Sequence, residues 1–179
     1  MITIGFLTRA AALALMLSAP ARADTFTTYG DVARYALPAG AALLSTFKGD
    51  TEGLAQLLLS GGVTLGATHA LKHTVDARRP DGGLRSFPSG HTAFAFAGTA
   101  YVHERYGWQW GLPATLAAGA VAWSRVDAGR HHWRDVLASA AIAHASAFLL
   151  VDHRDSGVEL FPLIGGRKPS FGLAGRIRF

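Results

Sequence analysis

The sequence predicts an all-α protein: a signal peptide, a bundle of about five helices and a small C-terminal β-hairpin. Three observations predict it. Arg9 precedes the apolar run AALALMLSAP, and Ala21-Arg22-Ala23 supplies small residues for a cleavage site. Five Ala- and Leu-rich runs follow, each long enough for a helix rather than a strand. Residues 158–179 then change character, with a Gly-Gly turn and two-residue alternation. The chain therefore divides into a signal peptide at 1–23, a helical domain at 24–157 and a tail hairpin at 158–179.

The signal segment comes first. Cleavage after Ala23 leaves Asp24 as the first residue, and the weakly charged n-region leaves an uncleaved anchor as the alternative. The apolar runs are Val32–Phe47, Gly53–Leu71, Thr92–Tyr106, Trp108–Trp123 and Val136–Val151. KGDTEG, DARRPDGGLRSFPSG, YGWQWGLP and RVDAGRHHWRD separate them. Gly53–Leu71 is the best candidate for a membrane span, with close-packing glycines at Gly62-x-x-x-Gly66, although Gln56, Ser60, Thr64, Thr68 and His69 interrupt it. A membrane-embedded or membrane-associated bundle is preferred over a soluble periplasmic one. In the tail, Phe171, Leu173, Gly175, Ile177 and Phe179 alternate to give one apolar face. One hairpin cannot close a barrel in lipid, so this face is expected to pack on the bundle or on a second subunit as a homo-oligomer contact.

Composition narrows the chemistry. The chain has 179 residues and no cysteine, which removes disulfides and thiol chemistry. Its formal charge of +5 is concentrated in Lys72–Arg85 and Arg125–Arg134 rather than spread as a nucleic-acid stripe. A local anion site is expected, and no nucleic acid partner.

Three charged stretches border the apolar runs: KHTVDARRP from Lys72, PSGH from Pro88, and SRVDAGRHHWRD from Ser124. His131 and Asp135 stand four apart, a spacing that places them on one helix face. Asp135 is then expected to take the Nδ1–H of His131 and turn Nε2 outward, as in nucleophilic catalysis. His132 has Val136 at the corresponding position. Ser89 and Gly90 open a helix whose free N–H groups suit an anion, with His91 in its first turn to protonate a departing oxygen. Lys72, Arg79 and Arg125 supply permanent charge for phosphate oxygens. His69 and His73 have zinc-like spacing, but the cations around them disfavour another cation, and no metal or other cofactor is expected.

Together the stretches resemble the type-2 phosphatidic acid phosphatase superfamily, which includes bacterial class A acid phosphatases and vanadium haloperoxidases. Its pattern is K-x6-RP, then PSGH, then SR-x5-H-x3-D. The matching residues are Lys72, Arg79, Pro80, Pro88, Ser89, Gly90, His91, Ser124, Arg125, His131 and Asp135. The resemblance implies a helical, metal-independent phosphatase. It implies His131 as the nucleophile that forms a phosphohistidine, Asp135 as its orienting group and His91 as acid and then base. Lys72, Arg79, Arg125, Ser89 and the Gly90 N–H would hold phosphate. Only DGGLRSF separates Pro80 from Pro88, a shorter spacer than in many relatives, which implies a more open site or one completed by a neighbouring subunit or the membrane. The expected substrate is a phosphorylated lipid, as a monoester or pyrophosphate, acted on at the periplasmic face of the inner membrane. Periplasmic hydrolysis of small phosphomonoesters and phosphotransfer from the same phosphohistidine are the alternatives. A non-catalytic membrane scaffold is the reading from another class.

Overall fold

The computed structural model describes residues 19–154, 158–164 and 171–177. Five helices make up its body: α1 (Ala19–Phe47), α2 (Thr51–Thr74), α3 (Gly90–Tyr106), α4 (Trp108–Asp127) and α5 (Trp133–Leu150). Asp50 caps α2 by accepting the Gly53 N–H at 2.9 Å, and Ser89 caps α3 through the Thr92 N–H. Gly107, at φ 82°, ends α3 and starts α4, a left-handed conformation that favours glycine.

Loop length sets the architecture. Residues 48–50 and Gly107 make tight turns at one end of the bundle. The connections at 75–89 and 128–132 lie at the other end, together with the N-terminal part of α1. Short connections make antiparallel neighbours, so the first and third of the three charged stretches, together with PSGH, arrive at the same end. Helix α3 is central and packs on the other four. Gly98 makes this possible on one side, since a Cβ there would stand 2.5 Å from the Pro38 Cα.

The interior is built from small side chains. Ala33, Ala41, Ala95, Ala100, Ala118, Ala122, Ala143 and Ala147 are buried, as are Ser60, Thr64, Thr68 and Ser146. Large apolar side chains point outward instead, among them Phe47 (87% exposed), Leu58 (77%), Phe148 (74%) and Leu149. This inverts the usual pattern of a water-soluble bundle and matches helices that pack closely in lipid. α2 is the one described helix long and apolar enough to cross a membrane by length and composition. Its 24 residues span about 36 Å at about 1.5 Å each, against a hydrocarbon core of about 30 Å.

At the end away from the charged loops, a buried polar knot ties the helices together. Arg105 donates to both carboxylate oxygens of Asp50, at 2.8 and 2.9 Å, and the Tyr106 hydroxyl donates to the same group at 2.8 Å. Arg105 also donates to the Asp152 carbonyl at 2.9 Å.

The five predicted helices are present, and four of them start earlier than the apolar runs alone indicated. The N-terminus differs more. α1 runs unbroken through Ala21-Arg22-Ala23, the triplet expected to end a signal peptide, while residues 1–18 lie outside the described residues. In the tail, Val158–Ile164 (β1) and Phe171–Ile177 (β2) pair antiparallel with each other, Val158 opposite Ile177. They form a two-stranded sheet of their own.

Candidate active site

The end of the bundle that gathers the charged loops holds a cavity of about 270 Å³, lined by Thr27, Asp31, Arg79, His91, Arg125, Arg130 and His131. Four of the eight residues that the sequence singled out line it: Arg79, His91, Arg125 and His131. Lys72, Ser89, Gly90 and Asp135 are not in its lining, although Lys72 and Asp135 lie close enough to His131 to act on its charge.

His131 precedes α5 and is buried. Burial, with Lys72 and Arg79 beside it, pushes its pKa down to about 4, although Asp135 acts in the opposite sense. The ring is therefore neutral near pH 7, and one nitrogen carries a free lone pair. His132 is the N-cap of α5, faces the Arg78 carbonyl at 3.3 Å and does not line the cavity.

The expected His131–Asp135 contact takes a different form. α5 begins only at Trp133, so His131 lies before the helix and the helical i,i+4 geometry does not apply. Asp135 is instead the third residue of α5 and folds back on the helix start, accepting the His132 N–H at 2.9 Å. It also accepts the Ser86 hydroxyl. His131 Nδ1 stands 3.6 Å from Asp135 Oδ2, an ion-pair distance and too long for a hydrogen bond. The carboxylate is fully buried and lies against the Nδ1 side of the ring. Nε2 is on the opposite side.

Ser89 is also fully buried. Its Oγ accepts from the Thr92 N–H at 3.4 Å and the Thr92 hydroxyl at 3.1 Å, its N–H donates to the Asp135 carbonyl at 3.1 Å, and its carbonyl accepts from Ser139. Ser89 thus joins the starts of α3 and α5. Gly90 is the first residue of α3, where a backbone N–H has no acceptor within its own helix. A Cβ built on it meets no atom within 4 Å beyond its chain neighbours and its own helix.

The cations differ in their tethers. Lys72 donates to the carbonyls of Pro88 at 2.7 Å and Arg85 at 2.9 Å, so it fastens the PSGH loop. Arg79 lines the cavity with a buried Nε that has no hydrogen-bond partner. Arg125 is 4% exposed and donates to Ser124 Oγ, the Thr27 carbonyl and Asp31.

The residues that sequence reasoning missed lie mainly on α1. Asp31 Oδ1 takes Arg125 at 2.8 Å and His91 Nε2 at 2.9 Å. Arg34 stands 3.2 Å from His91 Nδ1. A guanidinium only donates, so Nδ1 accepts and the ring proton sits on Nε2. Gly30 lets α1 close on this site: a Cβ there would overlap Ser124 Oγ and lie 2.5 Å from an Arg125 nitrogen. A signal for these residues was available, since Asp31 and Arg34 are the only charges between Thr25 and Phe47. Charge isolated in an apolar helix marks a functional position.

The rival metal pair is bare of further ligands. The His69 and His73 rings lie 4.4 Å apart, and no group of three or more metal-ligating side chains occurs among the described residues.

The arrangement combines a neutral buried imidazole, a second histidine with its resting proton on Nε2, and three arginines, Arg79, Arg125 and Arg130, around one cavity. Such a set can bind a tetrahedral anion and attack it, and the second histidine can protonate the leaving group when its ring is cationic. A 33%-identical stretch of 132 residues aligns with the lipid A 4'-phosphatase of Helicobacter pylori, covering 67% of this chain and 66% of that protein. The lipid A 1-phosphatase of Porphyromonas gingivalis is 33% identical over 105 residues, which cover 54% of this chain and 23% of that protein. The crystal structure of Aquifex aeolicus LpxE superposes with a TM-score of 0.63 at 22% identity, covering 74% of this chain and 87% of that one, a likeness of fold. The model of the PAP2 superfamily matches residues 53–155, more than half of the chain, and on that match the chain belongs to the PAP2 superfamily.

Proposed function

We propose that this protein is a phosphatase that hydrolyses lipid phosphates through a phosphohistidine on His131. The observation that carries the proposal is a neutral, buried His131 sharing one cavity with Arg79, Arg125 and His91. Nε2 of His131 attacks phosphorus while Arg79, Arg125 and the Gly90 N–H hold the equatorial oxygens. The phosphorus–oxygen bond to the leaving group breaks, and the departing alkoxide takes the Nε2 proton of His91 acting as the imidazolium. That ring carries a proton on both nitrogens once Arg34 has released Nδ1, and the transfer leaves it neutral. The buried Asp135 carboxylate stabilises the imidazolium that forms on His131. A water then attacks the phosphohistidine, His91 takes its proton, and inorganic phosphate departs. Every group in this sequence is a side chain or backbone N–H of the chain itself.

A lipid substrate is supported by the outward-facing Phe47, Leu58, Leu116 and Phe148 and by exposed Trp residues at both ends, Trp110 at one and Trp123 and Trp133 at the other. The relatives named as lipid A phosphatases suggest a phosphorylated glycolipid. The bundle then sits in the membrane with its cavity at the periplasmic interface. The test is phosphate release in detergent micelles with EDTA present, from a lipid phosphate and from a soluble phosphomonoester. The proposal expects release that prefers the lipid and disappears in His131→Ala. Release that survives the substitution rules out the mechanism, and preference for the soluble ester rules out the lipid assignment.

A further inference from the structure

We propose that Asp31 is a resident carboxylate in the phosphate site, holding Arg125 and His91 until the substrate's phosphate replaces it. The inference rests on the phosphatase reading of the cavity. One oxygen, Asp31 Oδ1, accepts from Arg125 at 2.8 Å and from His91 Nε2 at 2.9 Å. These are the donors that a bound phosphate and its leaving oxygen require. The carboxylate and the substrate therefore compete for the same N–H groups.

Burial explains why a resident anion is there. Arg125 is 4% exposed, and Asp31 is its one ion-pair partner among the described residues. A buried guanidinium with no anion is costly, so the empty site needs a counter-charge. Asp31 can also leave. Its side chain is 49% exposed, and a rotation carries it into solvent while Arg125 stays in place. A phosphate dianion has the stronger claim on the cavity because it also engages Arg79, whose buried Nε is without a partner.

Arg34 completes the device. It donates to His91 Nδ1 at 3.2 Å and so keeps the ring proton on Nε2. When Asp31 swings away, that proton already faces the cavity. Asp31 is thus a positioning residue that lowers the apparent affinity for phosphate and holds Nε2 of the neutral His91 ring at the cavity. A site occupied most of the time by its own carboxylate binds ligand more weakly by the fraction of time it is open.

The test is calorimetric titration of inorganic phosphate into the full chain in micelles, comparing wild type with Asp31→Asn and Asp31→Ala. Both variants are expected to bind phosphate about tenfold more tightly, with KM for the lipid phosphate falling in parallel. Structural damage does not raise affinity. Binding that is equal or weaker in folded variants overturns the inference, as does a fall in kcat with KM unchanged, which would make Asp31 an orienting group only. If the variants do not fold, wild-type protein decides through hydrogen exchange: phosphate should speed exchange at residues 27–35, and unchanged or slower exchange there overturns the inference. Phosphate binding and turnover separate the two claims. Absence of turnover in wild type sinks the phosphatase reading, whereas active wild type without tighter binding in the variants sinks only the role of Asp31.

Discussion

Replacing Asp135 by Asn keeps the volume and one accepting oxygen for the His132 N–H, but removes the negative charge beside His131. The two groups are 3.6 Å apart, so a full imidazolium interacts with the carboxylate by about 4.6 kcal/mol at an effective dielectric of about 20. A transition state with half of that charge loses about 2.3 kcal/mol. By transition-state arithmetic kcat should therefore fall between about 50-fold and about 2000-fold. KM should change little, because Asp135 lies behind His131 and outside the cavity lining. Steady-state phosphate release in micelles gives both constants, and circular dichroism through a thermal melt confirms that the variant is folded. A drop below tenfold in folded Asp135→Asn would refute the reasoning, since the buried charge would then do nothing for the cation on His131.

Further predictions concern pH, stability and placement. His131, with its pKa held at about 4, should react with diethylpyrocarbonate at a rate that is flat from neutrality downward and falls only around pH 4, where the ring becomes cationic; a midpoint near the ordinary histidine value contradicts the assignment. His132→Ala, outside the cavity, should change kcat/KM by less than about fivefold, or about 1 kcal/mol. Asp50→Ala strands a buried Arg105 and should cost about 3–5 kcal/mol of stability in denaturant titration, while leaving KM of the folded fraction unaltered. A loss below about 1 kcal/mol would remove the anchoring role of that knot. Because the chain has no cysteine, a single one at Leu84 reports the side of the membrane by labelling in intact cells. Labelling by an impermeant reagent supports the periplasmic site. Protection supports the cytoplasmic placement that the basic residues of these loops favour by themselves.

The sequence carried the site further than it carried the geometry. The three motifs together, with the family they resemble, pick out His131, His91, Arg79 and Arg125, which share the cavity because short alternating turns bring every motif to one end of the bundle. Spacing misread how Asp135 reaches His131. An i,i+4 pattern presumes a helix through both residues, whereas helix α5 starts between them and the carboxylate arrives by capping. Ser89, expected to hold phosphate, also joins two helix starts through its backbone, a tertiary role that no local pattern encodes. Asp31 and Arg34 escaped because they lie over 35 residues before the first motif. The side of the bundle that faces lipid was also hard to read: Ala, Ser and Thr fill the interior while Leu and Phe face out, so apolar runs give a weak inward stripe.

The measurement that tests the central claim most directly is capture of the intermediate. The protein is mixed with a lipid phosphate labelled at phosphorus, quenched in alkali within milliseconds, and digested for mass spectrometry. The account predicts base-stable, acid-labile phosphate on the peptide that contains His131, absent in His131→Ala and more abundant in His91→Ala, where the attacking water lacks its base. Phosphate on another residue, or rapid turnover with no labelled peptide at any quench time, would contradict it.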